Sequence, residues 1–334
     1  MKILVTGGCG YIGSHTCVEL LNNNYDVVII DNLSNSKMDV LDKIRKITGK
    51  DLKFYEANVC NKDALRTVFR ENNIGAVMHF AGYKAVGESV KNPLMYYRNN
   101  IDSTLSLCEV MEEFDCNNFV FSSSATVYGN PKKLPLREDM EVGGTTNPYG
   151  STKLYIEGIL KDICISKSDF SVAVLRYFNP IGAHPSGLLG ENPNGIPNNL
   201  VPYVVKVATK ELDYVHVFGN DYNTKDGTGV RDYIHVVDLA KGHINALKYV
   251  LEHKGIDYFN LGTGVGYSVL DIINTFSKVN DIEVPYKFEP RRDGDIDSCY
   301  ADSSKAYEKL DWKADLGLEE MLKSSYQFWI KNKK

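Results

Sequence analysis

The sequence predicts an α/β protein, a doubly wound parallel sheet followed by a smaller C-terminal α/β unit. Three observations carry this. In the first half, short β-branched and apolar runs alternate with helix-length segments, the pattern of a parallel sheet covered on both faces. A glycine-rich turn joins the first run to the first helical segment. After Pro180 the texture changes, and Ser186–Leu200 is rich in Gly, Pro and Asn, reading as a loop or lid. The 334 residues suffice for one large domain or two ordinary ones. The division is expected near residue 180, giving units 1–180 and 181–334, with about 236–261 returning to the first.

Taken in order, Lys2–Thr6 is the first strand. The turn Gly7-Gly-Cys-Gly-Tyr-Ile-Gly13 follows, then a helical pattern through Leu21 that ends in Asn22–Asn24. Asp26–Asp31 is the second strand. Further strands read at Leu52–Glu56, Ala76–Phe80, Asn118–Ser123 and Ser171–Tyr177, with helices near Lys62–Asn72, Pro93–Phe114 and Pro148–Ser166. Beyond the loop, Val236–Leu251 reads as a helix and Tyr258–Leu261 as a strand. No internal repeat or low-complexity segment interrupts the chain.

Bulk composition narrows the function. Hydrophobic residues are 43% and charged residues 24%, ordinary for a globular protein. A net charge of −5 gives no reason to expect nucleic acid or an anionic membrane as partner. No apolar run approaches the ~20 residues of a membrane span, and the apolar start is too short for a signal peptide. Seven cysteines without C-x-x-C spacing read as free thiols in a reducing, cytoplasmic setting. The seven histidines are scattered, so no metal site is expected.

Gly7, Gly10 and Gly13 make G-x-x-G-x-x-G, and Gly8, Gly10 and Gly13 make G-x-G-x-x-G. Either spacing lets backbone N–H groups approach a pyrophosphate at a helix N-terminus. Asp31 ends the next strand, where an acidic residue holds adenosine ribose hydroxyls. A carboxylate there repels a 2′-phosphate and no arginine follows closely, so NAD is expected rather than NADP. Small or polar residues also sit at later strand ends: Asn58-Val59, Phe80-Ala81-Gly82 and Ser122-Ser-Ser124. Ligands bind beyond those ends in open parallel sheets, so one of the three serines is a candidate to orient a substrate oxygen.

Tyr149 and Lys153 lie four residues apart and share a helix face. Asn147 suits an N-cap and Pro148 the first helical position. A tyrosine with a pKa of about 10 is a poor base at neutral pH; bringing it to about 7 needs roughly 4 kcal/mol. Lys153, the helix dipole and an oxidised nicotinamide ring are the expected sources.

Taken together, Thr6-Gly-Gly-Cys-Gly-Tyr-Ile-Gly13, Ser122-Ser-Ser-Ala-Thr-Val-Tyr-Gly129 and Tyr149-x-x-x-Lys153 resemble the extended short-chain dehydrogenases acting on nucleotide sugars, which carry a Rossmann domain. His79–Ser89, Leu175–Ala183 and Asp226–His235 are similar to the corresponding stretches of the UDP-glucose 4-epimerase family. The resemblance covers nearly the whole chain. It implies that Gly7, Gly10, Tyr11, Ile12 and Gly13 wrap the NAD pyrophosphate. It places Asp31, Asn32, Asn35 and Ser36 at the adenosine ribose. Asn58 and Val59 fall near the adenine, with Asn58 departing from the expected aspartate but keeping a carbonyl acceptor. Phe80, Ala81, Gly82, Lys84 and Asn99 would line the way to the nicotinamide, with Tyr177 and Phe178 beside the ring. Asn179, Asn199, Leu200, His216, Phe218, Arg231, Tyr233, Arg292 and Asp295 would surround UDP, arginine forks matching phosphate oxygens.

The implied catalytic residues are Ser124, Tyr149 and Lys153. The implied reaction inverts C4 of UDP-galactose or UDP-glucose through a 4-keto sugar. Tyr149 takes the hydroxyl proton, NAD takes the hydride, and the sugar turns over while UDP stays anchored. Cys299 falls on the implied sugar wall, where family members carry either tyrosine or a small residue. A cysteine there implies that UDP-GlcNAc and UDP-GalNAc are also interconverted. A homodimer is implied too, for which the outer faces of Pro93–Phe114 and Pro148–Ser166 are candidates. A dehydratase or decarboxylase on this scaffold would need an added carboxylate, and Ser124 is followed by Ala125-Thr126. A non-catalytic NAD-binding module would have no reason to keep Ser124, Tyr149 and Lys153 together.

Overall fold

A computed structural model describes residues 1–192, 197–292 and 294–333. The chain runs β1 (Lys2–Thr6), α1 (Tyr11–Asn22), β2 (Asp26–Asp31), α2 (Asp39–Thr48), β3 (Lys53–Glu56), α3 (Lys62–Glu71), β4 (Ile74–His79), α4 (Val86–Lys91), α5 (Pro93–Glu113), β5 (Asn118–Ser124), α6 (Pro148–Ser166) and β6 (Ser171–Tyr177). It continues as β7 (Asn179–Ile181), α7 (Leu200–Ala208), β8 (Val215–Phe218), β9 (Val230–His235), α8 (Val236–Glu252), β10 (Gly255–Leu261), β11 (Gly266–Ser268), α9 (Val269–Asn280), β12 (Tyr286–Glu289), β13 (Ser298–Cys299), α10 (Ser304–Leu310) and α11 (Leu318–Asn332).

Seven strands form one parallel sheet in the order β10-β6-β5-β4-β1-β2-β3. The chain starts near the middle and winds outward both ways, so β1 and β4 flank the point where strand order reverses. Successive side chains point to opposite faces: Ile3 and Val5 enter one core with α1 and α8, while Leu4 enters the other with α3, α5 and α6. Burial on both faces explains why these strands read as unbroken apolar runs rather than as alternation.

The strand and helix ends lie within about three residues of those expected, the usual scatter at element ends. The third strand begins at Lys53, the fourth spans Ile74–His79, and the one expected at Tyr258–Leu261 begins at Gly255. Among the described residues two helices of the first half escaped the sequence reading, as did α7, α9, α10 and α11 after it. Helix α2 buries Leu41 and Ile44 alone and ends on Gly49 in the left-handed region. Helix α4 has six residues and one buried side chain, Ser89. Neither carries a broad apolar stripe.

β10 adds to the sheet edge beside β6, and α8 packs over α1. Helix α10 packs on α8 and β10, and the Trp312 indole after it donates to the Asp238 carbonyl at 2.9 Å. That further return of the chain was not read from the sequence. A second core, with Val204, Val217, Ile272, Phe276 and Met321, gathers α7, α9 and α11 around short strands. There β9 pairs with β7, β11 and β13, and β8 pairs with β12. The stretch expected as a loop has no helix or strand before Leu200 among its described residues, and 193–196 lie outside them. No helix among the described residues is long and apolar enough to cross a membrane.

Candidate active site

The glycine turn is built for close backbone approach. Gly7 has φ +68°, and a Cβ there would stand 2.9 Å from the Ala81 nitrogen; one on Gly13 would stand 2.4 Å from the Gly7 oxygen. Helix α1 starts at Gly10 with no side-chain cap and no acid in its first turn. Its first N–H groups therefore lack intrahelical partners and face outward as an anion site. These features fit a pyrophosphate. Asp31 ends β2 beside the turn, buried, and accepts from the Cys9 and Leu33 N–H groups and from the Ser36 hydroxyl at 2.9–3.0 Å. Those bonds orient the carboxylate and leave acceptor capacity for ribose hydroxyls. Asn32 and Asn35 beside it are exposed, the Asn32 side chain accepting from Ser34 N–H.

The other expected cofactor residues divide between exposed and packed positions. The Asn58 carbonyl already accepts from Cys60 N–H at 2.9 Å, so one lone pair remains for a base. Val59 points into the core; only its backbone can meet a ligand. Ala81 N–H binds the Thr6 hydroxyl, and the Phe80 ring lies 4.8 Å from that of His243. The Asn99 amide donates to Asn100, whose own side chain ties Tyr83 to Thr152 of α6. The Tyr177 hydroxyl bonds His243, which draws that ring into the core on the α8 side, whereas Phe178 packs with Val127 and Tyr128 on the other.

Lys84 and Asn199 meet on a residue that sequence reasoning missed. Glu191 accepts from Lys84 Nζ at 3.4 Å and from the Asn199 amide at 2.8 Å. The Tyr11 hydroxyl donates to Gly182 O at 2.6 Å, drawing the segment after β7 down onto α1. No local pattern marks Glu191, which sits in a stretch of glycine, proline and asparagine.

Helix α6 starts as expected. The Asn147 side chain accepts from Gly150 N–H at 2.9 Å and Pro148 occupies the first turn. Lys153 is buried, and its Nζ donates to the Ser122 carbonyl at 2.6 Å while lying 5.9 Å from the Tyr149 ring centre. Ser124 Oγ accepts from both the N–H and the hydroxyl of Thr126, leaving its own O–H for the Tyr149 phenol. Burial pushes the Tyr149 phenol above its usual value, and the Ser124 hydrogen bond opposes this. Lys153 is itself brought down to about 8 by burial, because its ammonium is costly to desolvate.

Around β9, two arginines meet on one carboxylate. Arg231 donates to the carbonyls of Val230 and Ile296, and its Nη2 lies 3.7 Å from Asp295; Arg292 Nε reaches the same carboxylate at 2.9 Å. The Arg292 guanidinium covers the Phe218 ring at 4.9 Å, and that ring stacks on His216. Tyr233 is buried beneath, in register with Asn179. Leu200 opens α7, and Cys299 pairs with Arg231 between strands while packing beside Phe178 and Ala301.

A family model described as GDP-mannose 4,6 dehydratase matches residues 4–325. The UDP-glucose 4-epimerase of Bacillus subtilis (strain 168) is 59% identical over 99% of this chain and 98% of its own. A crystal structure of UDP-glucose 4-epimerase from Bifidobacterium longum in complex with NAD+ and UDP is 53% identical, superposes with a TM-score of 0.96 and covers 99% of each chain. The epimerase from Stenotrophomonas maltophila with bound NAD and formylated UDP-arabinopyranose is 45% identical, with a TM-score of 0.97 over 99% and 98% of the two chains. A glycine turn at α1, a tyrosine and lysine on α6 and agreement with these relatives from end to end lead to one placement: the chain belongs to the UDP-glucose 4-epimerases, within the wider family that the dehydratase model describes.

Proposed function

We propose that this protein interconverts UDP-galactose and UDP-glucose at C4 of the sugar, using NAD that stays bound through the cycle. The observation that carries this is the convergence of Ser124, Tyr149 and Lys153 at the strand ends, beside a glycine turn shaped for a pyrophosphate. Bound NAD supplies the acceptor and returning donor of the C4 hydrogen, together with a positive ring. The N–H groups of Tyr11, Ile12 and Gly13 would hold its pyrophosphate, that of Gly10 being bound to the Gly7 carbonyl, and Asp31 would hold its ribose. Tyr149 receives the proton of the sugar 4-hydroxyl and later gives it back. With substrate bound, the Ser124 O–H turns from the Tyr149 phenol to that sugar oxygen and holds it in place. Lys153 keeps a positive charge close to that face of α6. Arg231 and Arg292 grip the UDP diphosphate, so affinity concentrates in the nucleotide and the sugar is left free to turn.

The finer readings are ours as well. The N-acetylated UDP-sugars are further substrates, since Cys299 leaves more room on the sugar wall than a tyrosine would. The working division assigns NAD to the seven-stranded sheet and UDP to the part beyond it. Exposed Leu94 and Leu105 on α5 and Tyr155 and Ile165 on α6 support a homodimer through these helices. Seven free cysteines support a reducing, cytoplasmic setting.

The test is to incubate purified protein with UDP-galactose and no added cofactor. UDP-glucose of unchanged mass is the expected product. Net NADH release, or a dehydrated sugar, would refute the reading.

A further inference from the structure

Three consecutive serines end β5, and each meets a different residue on one face of α6. The Ser122 carbonyl accepts from Lys153, the Ser123 hydroxyl donates to Glu157 at 2.6 Å, and the Ser124 hydroxyl reaches Tyr149. Tyr149, Lys153 and Glu157 follow one another at intervals of four, so they stack along the helix. Glu157 takes no part in the reaction as described above, yet it is 3% exposed. A carboxylate taken that far out of water needs strong partners. It has them: Arg176 Nε and Nη2 donate to its two oxygens at 3.1 and 2.7 Å. Arg176 lies on β6 in register with Ser123. It also donates to the Tyr128 hydroxyl at 2.9 Å and lies over the rings of Tyr128 and Tyr258.

We propose that Glu157 is a positioning residue for the reaction: through Ser123 and Arg176 it holds α6 in register with β5, and its charge keeps Lys153 an ammonium. The proposal rests on the reading of Tyr149 and Lys153 as the reacting pair. Burial works against the Lys153 charge, and Glu157 opposes that effect. The other groups around this pair are Tyr149 on α6, His79 at the end of β4, Arg176 and Tyr177 on β6, Tyr128 after β5 and Tyr258 on β10. Burial keeps His79 neutral, so among these groups Glu157 supplies the negative charge. Without it, Arg176 would lose the carboxylate that its Nε and Nη2 reach, and Lys153 the charge that opposes its burial.

Glu157→Gln keeps the shape and the Ser123 contact while removing the charge. The alkaline limb of kcat/KM should move to lower pH by about one unit, a roughly tenfold loss at about pH 8.5 with a much smaller loss near pH 6.5. Adding Arg176→Met removes the cation that Glu157→Gln leaves unpaired and should bring the limb back toward wild type, which a merely structural role would not do. A second readout needs no turnover. Lys153 titrates lower in the folded than in the unfolded chain, so the unfolded chain binds more protons between those values and stability rises with pH across that window. In Glu157→Gln the rise in thermal midpoint should begin at lower pH, and in Lys153→Met it should be missing. If Glu157→Gln does not fold, Glu157→Asp, which draws the charge back by one methylene, should shift both readouts in the same direction by less. An unmoved limb and an unmoved onset in a folded variant overturn the proposal. Normal turnover in Tyr149→Phe would overturn the underlying reading instead, so the two failures are distinguishable.

Discussion

Tyr149 is half-buried against a lysine, and the loss of water around its phenol makes it harder, not easier, to ionise. Ser124 donates one hydrogen bond toward it, worth about 1.5–3 kcal/mol when the acceptor is charged. A shift to about pH 7 needs roughly 4 kcal/mol beyond overcoming burial, so Lys153 and the positive nicotinamide must act together. Tyr149→Phe should lose at least about a thousandfold in kcat while still binding NAD and UDP, as read by cofactor absorbance and UDP titration. Lys153→Ala should lose activity and cofactor retention together. Cys299 illustrates a different residue-scale effect. It lies beside Phe178 and Ala301, and burial pushes its thiol up to about 11, so it stays an uncharged, compact wall. Overfilling such a site costs about 1–3 kcal/mol. Cys299→Tyr should therefore suppress turnover of the N-acetylated pair by about tenfold or more relative to the plain hexoses. Equal loss on both pairs in a side-by-side assay would remove this gate.

Helices α5 and α6 lie side by side, with the Tyr97 and Tyr155 rings stacked between them at 6.1 Å. Leu94 and Leu105, eleven residues apart, return to the same side of α5. Leu94 is 78% exposed and Ile165 on α6 73%, more than a helix face bordering solvent needs. Leu94→Asp with Ile165→Asp should give a folded monomer by sedimentation, with unchanged circular dichroism; a wild-type protein that already sediments as a monomer would sink the dimer reading. These two helices were legible in the sequence because Pro93 and Asn147-Pro148 announce their starts locally. The glycine turn and the first strands were legible for the same reason. The Glu157–Arg176 pair joins a helix to a strand 19 residues on, and nothing near either residue announces it. Nor could Glu191 be found from its neighbours. The short strands of the second core, two to six residues long, exist through distant pairing, so propensity alone did not reveal them.

For the molecule as a whole, acid is the weak direction. Burial lowers His15 and His79 to about 3 and His235 and His243 to about 4. All four are neutral when folded and titrate near 6.5 when unfolded. The unfolded chain thus binds more protons below about pH 6.5, and stability should fall steadily from there toward pH 4. Urea midpoints taken across that range should decline, and a flat profile would contradict the burial assigned to these rings. The sheet order carries a last consequence. β6 is flanked by β10, contributed some eighty residues later, and α1 is covered by α8. A polypeptide cut after residue 180 would keep every glycine-turn residue and the Tyr149–Lys153 pair, yet end in a bare sheet edge with an uncovered apolar helix above it. Such an edge templates self-association. The fragment 1–180 should precipitate when expressed alone and become soluble when 181–334 is supplied as a separate chain. What binds the nucleotide and what completes its sheet are encoded apart, so a gene split at the apparent seam would yield halves that must find each other before either is a protein.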